Sequence, residues 1–156
     1  MASTMFEEAI DKNRISENDF FSEHYSLIAG TNPEQYMAPF TRLVDELLSP
    51  LQEKIVRENA SIVYVIASDR KGYLPTHMKA FSKPQGNDPV WNTANSRNMR
   101  IFTDKVGQRA AKNEAPLLLQ TYRRDMGNGN FVLMKELDAP IFVKNRRWGT
   151  ARLAYK

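Results

Sequence analysis

The two histidines, His24 and His77, are the first residues to consider for chemistry in this chain of 156 residues, because cysteine is absent. Without cysteine there is no thiolate zinc site, iron–sulfur cluster, disulfide or cysteine nucleophile. No second histidine or acid stands out at metal-ligand spacing from either histidine, and phosphate-loop, Gly-x-Ser-x-Gly and His-Glu-x-x-His motifs are missing. We therefore expect no catalytic residues, no metal, no cofactor and no enzymatic activity.

Arg97 and Arg100 are the side chains best suited to bind a small ligand. Together with Trp91 they follow residues 82–90, which are loop-like in composition. A guanidinium in a dry pocket binds a carboxylate through two parallel hydrogen bonds and needs such a partner there. We predict that at least one of these arginines contacts an anionic ligand; the alternative is that both pair with acids of the N-terminal half.

Four further side chains complete the predicted ligand site. Tyr73 and Tyr122 offer hydroxyl groups, and Met134 suits the apolar part of a ligand. His77 either hydrogen-bonds the ligand or holds its neighbours in place. The predicted ligand-binding residues are thus Tyr73, His77, Trp91, Arg97, Arg100, Tyr122 and Met134.

The charge is divided unevenly along the chain. Residues 1–60 contain 5 Lys/Arg and 11 Asp/Glu, whereas residues 61–156 contain 17 and 7, although the whole chain is only +4. Arg123-Arg124 beside Tyr122, and the basic residues 144–147, allow a nucleic-acid interface as a less favoured alternative. Solvated charge is normal in the turn predicted at 145–147, so we expect no nucleic-acid partner.

Composition and length predict one folded unit. A hydrophobic content of 42% with 8 Phe, 6 Tyr and 2 Trp is enough for one sizeable core. No apolar run approaches the roughly 18–20 residues that span a bilayer, and the first 15 residues carry too many charges for a signal-peptide core. We expect a cytoplasmic chain without membrane contact.

The acidic N-terminal part favours helices. Residues 2–12 and a segment opening at Ser16 are predicted as short helices, the second because Ser16 and Asp19 have capping-box spacing. A longer amphipathic helix is predicted over 33–58, with a kink or break near Pro50. Its wide apolar face predicts a homodimer through this helix.

The basic part favours strands. Residues 62–67 are β-branched enough for a central strand, and a return strand is expected from Tyr73. Residues 91–112 are assigned to a helix by elimination. A meander of three strands is expected after it, over 117–124, 131–143 and 148–155. The predicted fold is α+β with a five-stranded antiparallel sheet.

Six short segments of the chain carry a resemblance to a known protein family. They are Gly72-Tyr73-Leu74-Pro75-Thr76-His77, Asn98-Met99-Arg100-Ile101-Phe102-Thr103-Asp104, Leu119-Gln120-Thr121-Tyr122-Arg123-Arg124-Asp125-Met126-Gly127 and Ala139-Pro140-Ile141, with Arg14-Ile15-Ser16 and Gly30-Thr31-Asn32-Pro33 before them. These phrases resemble PAS-like Cache sensory domains. The resemblance is greatest to a sensory domain of bacterial methyl-accepting chemotaxis proteins that often follows the signalling coiled coil, which is itself absent from this sequence.

The resemblance implies a PAS/Cache-like five-stranded antiparallel sheet with a long N-terminal helix and with helices between the second and third strands. Residues 1–58 would form an N-terminal helical segment and residues 59–156 the sensor domain, together as one structural unit. The implied function is non-enzymatic sensing of a small ligand in chemotaxis or signal transduction. In a longer chain, the partner would be a chemoreceptor signalling region. The alternative is a structural, adaptor or dimerisation module of the same fold with no ligand.

Overall fold

The computed structural model describes residues 1–155. Its helices are α1 (Ala2–Asp11), α2 (Glu17–Phe20), α3 (Thr41–Glu58), α4 (Pro89–Asn95) and α5 (Lys105–Ala111). Its strands are β1 (Ser26–Leu27), β2 (Tyr36–Met37), β3 (Ile62–Asp69), β4 (Tyr73–Leu74), β5 (Arg100–Ile101), β6 (Leu118–Asp125), β7 (Phe131–Val143) and β8 (Arg146–Tyr155). None of these helices is both long and apolar enough to cross a membrane.

The main sheet is antiparallel and has four strands in the order β3-β8-β7-β6. The predicted α+β class is therefore correct, but the fifth strand is not part of this sheet. Strand β4 has only two residues and pairs with β5, with Leu74 opposite Arg100. Pro75 follows at once and has no N–H to donate, and the carbonyl of Leu74 accepts the Met99 N–H at 2.6 Å. The run predicted as a central strand, β3, is consequently an edge strand of the main sheet.

Each face of the sheet has its own apolar cluster. On one face, α1, α2 and α3 contribute aromatic and aliphatic side chains around Trp148, whose ring centroid lies 5.1 Å from that of Phe6 and 5.5 Å from that of Phe20. On the other face, Tyr64 and Met134 belong to a smaller cluster covered by the segment after β4. Burying each large apolar side chain contributes roughly 1.5–3 kcal/mol, so both clusters hold the sheet between two layers.

Helix α3 begins later than the sequence predicts. The Thr31 hydroxyl accepts the Gln35 N–H at 2.9 Å and closes a turn, so it does not cap a helix. The helix starts at Thr41 instead and runs through Pro50 without a break. Val44 and Leu48 on its apolar side are buried. Leu43 is also buried, whereas Leu47 and Leu51 are partly exposed, and the homodimer through this helix stays a prediction.

Residues 91–112 are not one helix. Asp88 accepts the Val90 N–H and caps α4, while Asp104 accepts the N–H groups of Val106 and Gly107 and caps α5. Two separate caps start two short helices, because each satisfies free N–H groups at a helix start. Strand β5 lies between them, so this segment folds over the sheet and returns.

Candidate functional site

A cavity of about 410 Å³ lies between the main sheet and the segment that covers its second face. The sheet contributes polar and aromatic side chains to it from Tyr64, Tyr122, Arg124 and Arg152. The covering segment contributes His77, Arg97, Arg100 and Phe102, together with aliphatic side chains such as Leu74. The volume is within the range of roughly 300–1,000 Å³ that small-molecule sites occupy.

Strand alternation brings Arg124 into this cavity. Successive side chains of a strand point to opposite faces, so Arg124 shares a face with Tyr122 and Gln120 on β6. Arg124 is only 3% exposed, whereas its neighbour Arg123 is exposed. The guanidinium of Arg124 lies 4.2 Å from the ring centroid of Phe81 and 5.0 Å from that of Tyr64.

The guanidinium of Arg124 is buried but incompletely bonded. Within residues 1–155, neither its Nε nor its Nη2 has a hydrogen-bond partner. Burial lowers the pKa of Arg124 from its ordinary value. Leaving buried donors of a charged group unsatisfied is costly, so a negative charge beside this guanidinium would stabilise it.

Arg97 and Arg100 stand at the opposite side of the cavity on the covering segment. Nη1 of Arg97 donates to the carbonyl oxygens of Thr93 and Asp125, both at 3.0 Å. Both guanidiniums lie over the ring of Phe102, at 5.3 Å and 5.0 Å from its centroid. Burial, followed by the positive charges of Arg124 and Arg100, lowers the pKa of Arg97 to about 10. In the described part of the chain, neither arginine forms a salt bridge, so the alternative pairing with N-terminal acids is not found.

Arg152 differs from these arginines because it has a carboxylate partner. Its Nε and Nη2 donate to Oε1 of the fully buried Glu136 at 3.1 Å and 2.8 Å. The Tyr64 hydroxyl donates to Oε2 of Glu136, and the Tyr122 hydroxyl contacts that of Tyr64. The floor of the cavity is thus a chain of hydrogen bonds in which the charge of Arg152 is neutralised.

Asp138 lies beside this chain, fully buried. Its Oδ2 accepts the Gln120 Nε2–H at 2.8 Å, and its Oδ1 lies 3.6 Å from Nε of Arg152. Burial, followed by the negative charge of Glu136, raises the pKa of Asp138 to about 7. Two carboxyl groups therefore share one guanidinium, and Asp138 loses its proton as the pH rises through about 7.

Replacing Asp138 with Asn is expected to change the pH dependence of stability. Because the pKa of Asp138 is raised on folding from 3.8 to about 7, its stabilising contribution is complete below pH 3.8 and is lost as the pH rises through 7. The free energy of unfolding of the parent relative to Asp138→Asn should fall by about 1.4 kcal/mol between pH 6 and pH 8. Urea unfolding of both proteins at each pH measures this, and the comparison cancels the contribution of His77. A constant difference between the two proteins would contradict the assignment.

His77 is a neutral donor in the wall of the cavity. Its ring packs between Tyr64 and Phe81, with both centroid separations at 5.1 Å. Burial and then the charges of Arg124, Arg97 and Arg152 hold the pKa of His77 well below its usual range. Nδ1 accepts the Met78 N–H at 2.7 Å, so the ring proton is on Nε2. Within residues 1–155 no group of three or more His, Cys, Asp or Glu side chains is arranged to hold a metal ion.

The structure brings four of the seven predicted site residues together around the cavity: His77, Arg97, Arg100 and Tyr122. The remaining three do not line it. The Tyr73 hydroxyl is 2.7 Å from Oγ1 of Thr41 in the helix-covered cluster, Trp91 is 43% exposed on α4, and Met134 is packed inside the smaller apolar cluster. Strand position and helix orientation, which the sequence alone does not fix, account for these differences.

The cavity residues that were not predicted from the sequence as ligand-binding include Tyr64, Arg124 and Arg152. The signal for Arg124 was its spacing of two from Tyr122 in a segment predicted as a strand, which puts both on one face. The signal for Arg152 was the same alternation in β8, where Thr150, Arg152 and Ala154 are buried. Arginine at such positions is usually solvated, and these two are buried because the covering segment lies over their face of the sheet.

Comparison with known proteins leaves the site to be interpreted from its own residues. No protein-family model matches the chain, and no curated protein is significantly similar to it. The resemblance to Cache sensory domains accordingly stays a prediction.

Proposed function

We propose that this chain is a non-enzymatic sensor domain of a bacterial chemotaxis or signal-transduction protein, and that it binds a small anion in the cavity beside Arg124. We also propose that the chain acts in the cytoplasm. If it is part of a longer protein, its partner would be the signalling region of a chemoreceptor. The sequence phrases that resemble Cache domains of methyl-accepting chemotaxis proteins support the biological setting. The cavity supports the ligand class.

The observation that supports an anionic ligand is the buried, unpaired charge of Arg124. Its charge is buried, its Nε and Nη2 have no partner in residues 1–155, and two more arginines without carboxylate partners line the same cavity. An uncompensated charge in a desolvated site costs free energy. An anion in the cavity would offset this charge and reduce the repulsion among the guanidiniums.

The contacts of the covering segment suggest how binding would be read out. The Thr76 hydroxyl donates to Asp45 of α3, and the Lys79 N–H donates to Glu53 of the same helix at 2.6 Å. His77 lies between these two contacts and lines the cavity. A ligand that favours one position of this segment would therefore shift the population of α3 positions, provided that it binds the two arrangements with different affinity.

Thermal unfolding with a panel of small molecules tests the proposal. At constant ionic strength, an anion present at 100 times its dissociation constant should add about 2.7 kcal/mol to the free energy of unfolding. Amines and neutral molecules of the same size serve as controls and should leave the melting temperature unchanged. If no carboxylate, phosphate or sulfonate stabilises the protein, the chain is a structural or adaptor module with no ligand.

A further inference from the structure

The number of uncompensated charges in the cavity narrows the ligand class further. Five arginines line it: Arg97, Arg100, Arg123, Arg124 and Arg152. Arg152 is neutralised by Glu136 at 2.8 Å. Arg123 is an exposed side chain whose guanidinium lies 4.5 Å from the centroid of the Phe131 ring, so water solvates its charge.

Arg100 is balanced in a different way. Two carboxylates, Asp104 and Asp125, also line the cavity. Their negative charges oppose the effect of burial on the pKa of Arg100. Arg97 has no such neighbour: the ionised side chains that act on it are Arg124 and Arg100, both positive.

Two guanidiniums therefore remain uncompensated, those of Arg97 and Arg124. They come from opposite walls, Arg124 from β6 and Arg97 from the segment after α4. In residues 1–155, the one carboxylate that acts on Arg124 is Glu136, and Glu136 already accepts two hydrogen bonds from Arg152. A monoanion would compensate one of these charges and leave the other buried beside it.

We propose that the ligand of this cavity is a dicarboxylate, with one carboxylate beside the guanidinium of Arg124 and the other beside that of Arg97. This inference rests on the proposed function. Ile66, Leu74 and Phe102 line the same cavity and suit a hydrocarbon spacer between the two carboxylates.

The geometry favours carboxylates over phosphate. A guanidinium edge with two parallel N–H groups matches the two oxygens of a planar carboxylate. Phe81 and Tyr64 both lie against the guanidinium of Arg124, with their ring centroids 4.2 Å and 5.0 Å away, and restrict the directions from which an anion can approach it. The neutral His77 adds an N–H donor without adding a third charge.

Calorimetric titration with matched pairs of compounds tests the inference. The probes are malonate, succinate, glutarate, adipate and phthalate, each compared with its half-amide, which has the same shape and one negative charge fewer. We expect at least one diacid to bind, and its half-amide to bind about 100-fold more weakly, because truncating one partner of a buried charge pair has an effect of that order.

Two single variants read out the two arginines separately. Arg97→Met and Arg124→Met should each reduce the preference for the diacid over its half-amide from about 100-fold to a few-fold. Arg97→Lys keeps the charge and should retain most of the preference, and circular dichroism of each variant checks its fold. Variants that keep the full preference would overturn the assignment of the two arginines.

The outcomes separate this inference from the proposed function. A half-amide that binds as tightly as its diacid, or inorganic phosphate that binds when no diacid does, overturns the dicarboxylate and leaves an anion-binding sensor. If none of these anions binds, both proposals fail together.

Discussion

Replacing Arg124 with methionine is expected to weaken anion binding strongly and, at the same time, to stabilise the ligand-free protein. The binding loss should be about 2–5 kcal/mol, the range for removing one partner of a buried charge pair. The ligand-free protein should gain about 1–3 kcal/mol, because an apolar side chain of similar length replaces a buried charge with unsatisfied N–H groups. Urea unfolding and calorimetry with the tightest anion measure the two effects.

Arg109→Met provides the matched control for this experiment. Arg109 is exposed near the end of α5 and does not line the cavity. The same substitution there should change stability by less than about 1 kcal/mol and leave binding unaltered. If Arg124→Met instead destabilises the ligand-free protein and leaves binding intact, Arg124 acts through its packing on Phe81 and Tyr64, and its role as an anion receptor is wrong.

The sequence favoured Arg97 and Arg100 over Arg124 as ligand-binding residues. Arg97 and Arg100 follow a loop-like stretch, which is where binding residues concentrate. Arg124 occurs in a strand-like run beside Arg123, and both are the residue type most often found at the surface. Strand alternation puts the two arginines on opposite faces, and the covering segment, which carries Phe81 over Arg124, buries the one on its side.

Short sequence motifs predicted some helix starts correctly, but they were misleading where contacts between distant residues determine the local structure. Ser16 accepts the Asp19 N–H at 3.0 Å, as the capping-box spacing predicts. Thr31 offered a similar cap for a helix at 33, yet its hydroxyl donates to the Ile28 carbonyl at 2.7 Å and closes a turn. The choice depends on residues 28 and 35 meeting in space, which a window of sequence does not reveal.

The prediction of five strands in the main sheet differs from the structure because a long-range contact decides the partner of β4. Tyr73 and Leu74 have strand character, but their partner is β5 and not β3. Nothing within residues 61–77 specifies that choice. It requires Met99 to adopt a positive φ of 57° and to donate its N–H to Leu74, a contact across 25 positions.

Breaking the pair between Glu136 and Arg152 is expected to produce the largest loss of stability in the cavity floor. Glu136→Leu removes the oxygen that accepts both hydrogen bonds of Arg152 and leaves Asp138, 3.6 Å from Nε, as its nearest carboxyl group. It also leaves the Tyr64 hydroxyl without its acceptor. Removing one member of a buried pair typically costs about 3–5 kcal/mol. The free energy of unfolding from urea titration at pH 6 measures this cost.

The double variant Glu136→Leu/Arg152→Met distinguishes the charge from the packing. When both charges are replaced by apolar side chains, no charge of this pair remains to be desolvated, and the stability should return to within about 1–2 kcal/mol of the parent. The single variants Glu136→Leu and Arg152→Met are measured beside it. If the double variant loses as much stability as the sum of the losses of the two single variants, the loss comes from packing, and the electrostatic account of the floor is wrong.

The double variant Glu136→Gln/Asp138→Asn links this floor to the ligand. The glutamine keeps an oxygen that can accept the Tyr64 hydroxyl, and the asparagine removes the second carboxyl group beside Arg152, so Arg152 is no longer neutralised and the cavity gains a third uncompensated guanidinium. The variant should be less stable than the parent and yet bind small anions more tightly, with the gain decreasing as salt is added because screening weakens charge–charge attraction. Unchanged anion affinity at low salt would mean that the charge of Arg152 does not act on the ligand.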